Sequence, residues 1–320
     1  MTIVRFWGTR GSIPTAQNCN QIREKLKFAL EKAIANGLNS IAEIPNFLDS
    51  LPFHVRSTYG GESCCVQLDT GEPEYYLFDL GSGARKFAVN RTKAHGPQSP
   101  QTYHVFLSHV HHDHIMGFPF FVPAFIPGNK IRIFGCHDIL EQALRKQQET
   151  PSFPVPFDFL SADIEFIKLE TDVEFTIGSL TVTPFKQLHH GDSYGYRVVI
   201  NSKIFVYSTD SEHKINDLHA AGHFVNAFRD ADLVVFDAMY SLKESISIRA
   251  DWGHSSNVMG VDLCRMAGVK RYCMYHHEPI NSDARLDKIL KETRAYEILA
   301  RQGGPELQVT SAYDGLEIEL

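Results

Sequence analysis

Cysteine is sparse and unpatterned in this chain. Cys19, Cys64, Cys65, Cys136, Cys264 and Cys273 are scattered, with no C-x-x-C pair. That spacing suits reduced thiols better than a disulfide framework. Long apolar runs are missing too. The strongest, Phe118 to Pro127, holds three prolines and is too short to cross a bilayer. The first residues, Met1 to Trp7, carry neither the basic stretch nor the apolar stretch of a signal peptide. A cytoplasmic protein with no membrane partner is therefore expected. Excess positive charge is lacking as well: 31 Lys+Arg stand against 38 Asp+Glu, a net charge of −7. Phosphate backbones are held by clustered Lys and Arg, so long nucleic acid is an unlikely partner on charge alone.

What is present is an ordinary globular composition, 43% hydrophobic and 22% charged over 320 residues. That excludes disorder and fibrous repeats and allows a sizeable core. The segments 3–7, 64–68, 75–79, 103–107 and 131–134 read as strands, and 138–148 as a helix. A meander of strands follows at 164–169, 173–177, 180–185, 194–200 and 204–208, separated by turn residues. Strands at 232–237, 271–275 and 307–311 then alternate with helices at 256–267 and 283–301. Ile22, Leu26, Ala29, Leu30 and Ala33 recur at helical spacing over 19–36, with Gly37 as the stop. Residues 41–51 form a second apolar stretch. The expected fold is α/β: two packed sheets covered by helices, in one domain spanning 1–320 with a helical insertion at about 16–55.

The densest chemical signal is Ser108-His109-Val110-His111-His112-Asp113-His114, directly after a buried strand. In an extended segment His109 and His111 point the same way and reach one ion together. A helix starting near Asp113 would turn Asp113 and His114 towards a second ion. Imidazole nitrogens with a carboxylate suit zinc, manganese or iron. His112 points away from its neighbours, towards solvent.

These residues resemble the H-x-H-x-D-H signature of the metallo-β-lactamase-fold hydrolases. Phe78 to Gly83 is similar to that family's D-x-G-x-G turn, whose aspartate, here Asp79, lies beneath the metals. Leu188 to Arg197 resembles the segment that supplies a third histidine, here His189 rather than His190. Tyr207-Ser-Thr-Asp210 resembles the strand end that supplies a bridging aspartate, and Tyr275-His-His-Glu-Pro279 the one that supplies the last histidine. The resemblance implies a four-layer αββα sandwich holding two divalent metal ions, zinc by default, with manganese or iron fitting the same ligands. It implies His109, His111 and His189 on one ion, Asp113, His114 and His276 on the other, and Asp210 between them. Such a pair lowers the pKa of bound water, so a metal-bound hydroxide can act as nucleophile. His276 and His277 are adjacent, and only one can face the ions. His276 is favoured, with His277 assigned to substrate.

Asp251-Trp-Gly-His-Ser-Ser256, Phe6 to Pro14 and Thr58 to Ser63 resemble the phosphodiesterase branch of the family, which includes cyclic-nucleotide phosphodiesterases and tRNA-maturing nucleases. There His254 would be the general acid that protonates the leaving alkoxide, acting with Asp113 at the metals. Gly60 and Gly61 either bring backbone amides to a ligand or make a turn. Arg197 is a candidate phosphate contact. Phe118 to Pro123 is read as core, a base-binding wall or a dimer surface, a homodimer being common in the family. The basic residues Arg23, Lys25, Lys27 and Lys32 are offset by Glu24 and Glu31, and no long RNA-binding arm is visible. The expected substrate is therefore a small phosphodiester such as a cyclic nucleotide. A thioester or lactone hydrolase, an RNA-processing nuclease and a di-iron redox protein are the alternatives.

Overall fold

The computed structural model describes residues 1–96, 99–213, 218–245 and 251–320. Its strands are β1 (Ile3–Gly8), β2 (Cys65–Asp69), β3 (Tyr75–Phe78), β4 (Thr102–Phe106), β5 (Lys130–Gly135), β6 (Asp163–Lys168), β7 (Phe175–Ile177), β8 (Leu180–Gln187), β9 (Ser193–Ile200), β10 (Lys203–Ser208), β11 (Leu233–Asp237), β12 (Arg271–Tyr275), β13 (Gln308–Ser311) and β14 (Glu317–Glu319). The helices are α1 (Cys19–Ala35), α2 (Ile44–Ser50), α3 (Phe53–Arg56), α4 (Gly83–His95), α5 (His112–Ile115), α6 (Leu140–Lys146), α7 (Leu218–Phe228), α8 (Leu242–Ser245), α9 (Asn257–Met266) and α10 (Asp283–Ala300).

The strands form two seven-stranded sheets, in the orders β14-β1-β2-β3-β4-β5-β6 and β13-β12-β11-β10-β9-β8-β7. Each sheet has an antiparallel half and a parallel half. Strands β3 to β6 run parallel in the first, and β10 to β13 in the second. Parallel neighbours need crossovers, which α4, α7, α9 and α10 supply. The result is the αββα sandwich.

Between the sheets lies an apolar layer drawn from both, including Phe6, Phe78, Phe106, Tyr196, Phe205 and Tyr207. The Phe78 ring is 5.2 Å from Phe106, 5.4 Å from Phe205 and 5.4 Å from Tyr207, so it stitches one sheet to the other. Two further cores lie under the helices. Ala84, Phe87 and Ala88 of α4 cover the first sheet. Phe224 and Phe228 of α7, Val261 and Leu263 of α9, and Leu286 and Ile289 of α10 cover the second. Burial on both faces explains why β3 and β11 read as continuous apolar runs rather than alternating ones.

Each expected strand is present, with ends displaced by at most two residues. The pattern did not reveal α4, α7 or β14. Helix α4 buries only Gly83, Ala84, Phe87 and Ala88, too thin a stripe to stand out. Strand β14 is three residues whose pairing with β1 brings the two chain ends together. Helix α1 forms where expected, with Asn18 and Gln21 making a reciprocal capping box and Gly37 just past the C-cap at φ +67. Its apolar stripe does not face the core. No α1 residue is buried, and Ile22, Leu26, Leu30 and Ile34 are exposed. Periodicity identified the helix but not what it packs against.

Phe78→Ala should open a cavity at the junction of both sheets and lower the unfolding free energy by about 3–5 kcal/mol. A urea denaturation series against the unsubstituted chain measures it, and a loss below about 1 kcal/mol would contradict the inter-sheet role given to this ring.

Candidate metal centre

In open parallel sheets, ligand sites form outside the carboxyl ends of the strands. Here the parallel halves of both sheets point their carboxyl ends at one place. Asp79 follows β3, the 108–114 segment follows β4, Asp210 follows β10, Asp237 ends β11 and His276 follows β12. Asp79, Asp210 and His276 have φ of +60°, +41° and +58°. Left-handed backbone at a non-glycine residue is costly, and here it turns each side chain back across the strand ends.

Asp79 anchors the cluster from below. Its Oδ1 accepts from the Ser108 amide at 2.7 Å, and its Oδ2 accepts from Ser108 Oγ at 2.8 Å, His114 Nδ1 at 2.7 Å and the Tyr207 hydroxyl at 2.8 Å. His114 therefore carries its proton on Nδ1 and offers Nε2 upward. The same logic sets two other rings. His109 Nδ1 donates to Ser108 Oγ at 3.0 Å, leaving a buried Nε2 with no hydrogen-bond partner. His189 Nδ1 donates to the Gly253 carbonyl at 2.7 Å, freeing its Nε2. Outer hydrogen bonds that fix the tautomer of metal-ligating histidines are the usual companion of such sites.

The free atoms converge around Asp210. Its Oδ1 lies 3.2 Å from both His114 Nε2 and His276 Nε2, and its Oδ2 lies 3.6 Å from His109 Nε2 and 3.7 Å from His189 Nε2. One carboxylate thus faces two clusters, one oxygen each. On the Oδ1 side, Asp113 Oδ2 is 3.2 Å from His114 Nε2 and 3.2 Å from His276 Nε2, and the two nitrogens are 3.3 Å apart. Ligands about 2.0–2.1 Å from a tetrahedral ion stand roughly 3.3 Å from each other, so these spacings fit a zinc-sized ion. On the Oδ2 side, the ligand atoms of His109, His111, His189 and Asp210 all lie within 4.8 Å of one another. The residues expected to share each ion are the residues brought together.

Electrostatics point the same way. Burial pushes the pKa of His109, His111 and His189 down, keeping these rings neutral and ready to bind a cation. Burial is the largest single effect on His114 and His276 and disfavours their charge, but Asp210, Cys64 and Asp113 together outweigh it and raise both. Burial would raise Asp113, but His114 and His276 hold it far below the usual carboxylate range. The pocket is thus built for a positive charge between its carboxylates.

Further residues shape the centre without having stood out in the sequence. The Ser12 amide donates to Asp113 Oδ2 at 2.7 Å, and a side chain at Gly11 would lie 2.4 Å from the His276 ring. The N-terminal loop therefore presses on the site and requires glycine there. Asp237 accepts from His254 Nδ1 at 2.9 Å. Its signal was present: like Asp79 and Asp210, it is an aspartate at the end of a buried parallel strand. Cys64 lies in the ligand cluster with Asp113, His114 and His276. His137 Nε2 donates to the Asp192 carbonyl at 2.9 Å and steadies the loop carrying His189.

Two substrate assignments need correction. Arg197 Nη1 donates to the carbonyls of Ala227 and Arg229, each at 2.9 Å, at the end of α7. It satisfies helix-terminal acceptors and is not a phosphate contact. His277 is 2% exposed, donates from Nε2 to the Ala312 carbonyl at 2.9 Å and meets the Tyr59 ring edge-on. Strand alternation turns it away from the metal side, so it packs the loops rather than the substrate. Of the glycine pair, the Gly60 amide donates to Thr58 Oγ1 at 3.0 Å and the Gly61 amide to Asp314 Oδ2 at 3.1 Å, so both are engaged within the loop, as a turn requires. His112 is exposed, as expected, and His190 is exposed as well.

Because Asp210 serves both clusters, Asp210→Ala should reduce bound metal from two ions to fewer than one per chain in elemental analysis after zinc reconstitution. Retention of both ions would remove its bridging role. Burial, aided by the Arg10 charge, pushes His277 down to about 3 from 6.5. The unfolded chain binds that proton first, so His277 costs stability as pH falls from 6.5 towards 3. His277→Gln should flatten this limb by up to about 1.4 kcal/mol per pH unit, read from denaturation midpoints; an unchanged slope would refute it.

Comparisons agree with this geometry. The profile of the beta-lactamase superfamily domain matches residues 75–277, which carry the whole His/Asp cluster. Ribonuclease Z of Streptococcus equi subsp. equi is 25% identical over 248 residues, covering 63% of this chain and 79% of that protein. The metallo-beta-lactamase fold protein YhfI from Bacillus subtilis shares the fold at a TM-score of 0.64 and 17% identity, over 100% of this chain and 99% of that one. Yeast PDE1 does so at 0.61 and 14% identity, over 100% and 99%. A relative named for a ribonuclease also means that net charge is no ground for setting long nucleic acid aside. With its ligand cluster inside the matched region and the fold shared along its whole length, the chain belongs to the beta-lactamase superfamily and is a metal-dependent hydrolase.

Proposed function

We propose that the chain is a dinuclear phosphodiesterase acting on a small phosphodiester such as a cyclic nucleotide, with His254 as general acid. The observation that carries this reading is the setting of His254. Its Nδ1 donates to Asp237 at 2.9 Å, and its ring centre lies 5.0 Å from that of His276 and 5.2 Å from that of His189. Asp237 is in turn fixed by the amides of Ser211 at 3.2 Å and Met239 at 3.0 Å. A held imidazole at the edge of a metal pocket, with Nε2 as its second proton site, suits protonation of a leaving group. Alkoxides need that proton, whereas thiolates and activated phenolates leave without it.

When bound, two divalent ions would neutralise phosphoryl oxygens and activate a water. The chain's own part is positional. Asp79 and Ser108 set the ring tautomers, Ser12 orients Asp113, and Asp237 aims His254. Zinc is the proposed metal, on the tetrahedral spacing of the Asp113 side. All six cysteines are unpaired, which supports the cytoplasmic setting proposed here. An RNA-processing nuclease is the second reading, favoured by relatives named ribonuclease Z. The same acid would serve it.

His254→Ala should keep both metal ions yet lower hydrolysis of cyclic nucleotides by about 10²–10⁴-fold. Its effect on bis(p-nitrophenyl) phosphate, whose leaving group needs less help, should be clearly smaller. Equal losses on both substrates would contradict the general-acid role. Absence of any diester turnover by the two-metal protein, with turnover of thioesters or lactones instead, would replace the phosphodiesterase reading. Processing of a precursor tRNA without action on cyclic nucleotides would favour the nuclease.

A further inference from the structure

Cys64 stands immediately before β2, where strand alternation separates it from Cys65. Cys65 points into the apolar layer under α4, while Cys64 points between the sheets. A buried free cysteine is ordinarily a small apolar filler with apolar neighbours. Cys64 has such apolar neighbours between the sheets, and ionisable groups beside them. Its sulfur lies within 4.8 Å of the ligand atoms of Asp113, His114 and His276, and all four residues are buried. The Sγ–H group donates to the Arg10 carbonyl at 3.5 Å, and the backbone is pinned by the Gly81 amide, 2.7 Å from the Cys64 carbonyl. Gly81 belongs to the turn that also carries Asp79, so the thiol and the histidine anchor sit on one rigid frame.

Among the described residues nothing comparable lies on the other side of Asp210. There the cluster is three imidazoles and a carboxylate oxygen, without sulfur. The two sides of the centre therefore differ in hardness. Thiolate favours thiophilic ions, while oxygen and nitrogen donors admit manganese more readily.

We propose that Cys64 Sγ is a direct ligand of the ion on the Asp113–His114–His276 side, making that half of the centre a thiolate-bearing site that selects zinc over manganese. This rests on the metal-hydrolase reading and adds a ligand to it. The sulfur brings negative charge to one ion only. The ion beside His109, His111 and His189 is then the more electron-poor of the two and the stronger acid towards a phosphoryl oxygen. The site's metal preference follows from one residue outside every histidine motif.

Cobalt(II) reports thiolate ligation through a near-ultraviolet charge-transfer band that histidine and carboxylate ligands do not produce. The test is a cobalt titration of the metal-free full-length chain carrying Cys19→Ser, which removes the one exposed thiol. Metal content is measured in parallel. The band should appear with one of the two bound ions and vanish in Cys64→Ser. That variant should bind the affected ion about 10–100-fold more weakly, at least what loss of an outer hydrogen-bond partner costs, and should lose discrimination between zinc and manganese. Two bound cobalt ions without the band would overturn the proposal and leave the metal centre intact. A band that persists in Cys64→Ser would overturn it too, by assigning the sulfur elsewhere. Failure to bind cobalt at all would instead remove the metal-hydrolase reading, and this inference with it. Should Cys64→Ser not fold, the spectrum of the parent decides, since Cys64 is the only thiol found in a ligand cluster among the described residues.

Discussion

A buried carboxylate governs this molecule. Asp210 is 2% exposed, at the meeting point of two sheets, and a charge there is tolerable only if opposite charge or strong donors surround it. Its two oxygens face two different sets of imidazoles. Each set comes from strand ends of both sheets, so satisfying one carboxylate requires the sandwich to be assembled. Removing the imidazoles would leave the charge stranded, and removing Asp210 would leave the imidazoles crowded together without a counter-charge.

The same demand explains the architecture around it. Parallel strands deliver their carboxyl ends side by side, and two parallel half-sheets facing each other deliver twice as many. Asp79, Asp210 and His276 then leave their strands through left-handed backbone, an arrangement that only strong surrounding contacts sustain. The N-terminal loop supplies part of that support. Arg10, 4% exposed, donates to the carbonyls of Gly60, Glu278 and Asn281, tying three loops together beside the cluster. Gly11 and Ser12, which follow it, touch His276 and Asp113 directly. A motif that reads as a turn is therefore a lid on the back of the metal pocket.

Helix α1 shows the opposite case, an apolar stripe that none of the described residues buries. Its link to the body is polar: Lys25 donates to Asp283 at 2.5 Å and to the Ser57 carbonyl at 2.7 Å. Asp283 also accepts from the Tyr59 amide and pairs with Arg10, so the helix is tethered to the same loops that brace the site. Its apolar face lies elsewhere, in solvent.

The sequence by itself determined the family and the candidate ligand set. Histidines and aspartates packed into 108–114, and single ones at turn-rich strand ends, marked the candidate ligands, because few other purposes demand such residues beside buried strands. Apolar runs bounded by turn residues marked the strands for the same reason: burial leaves a local trace. What only the tertiary structure decided is pairing across distance. Arg197 and His277 lie next to the motifs along the chain, yet strand geometry points them at Ala227 and Ala312. Asp237 and Cys64 lie far from the histidine cluster along the chain, yet the fold places them against His254 and His276. Direction of a side chain depends on register and on what lies across the sheet, and neither is written in the spacing of residues along one strand.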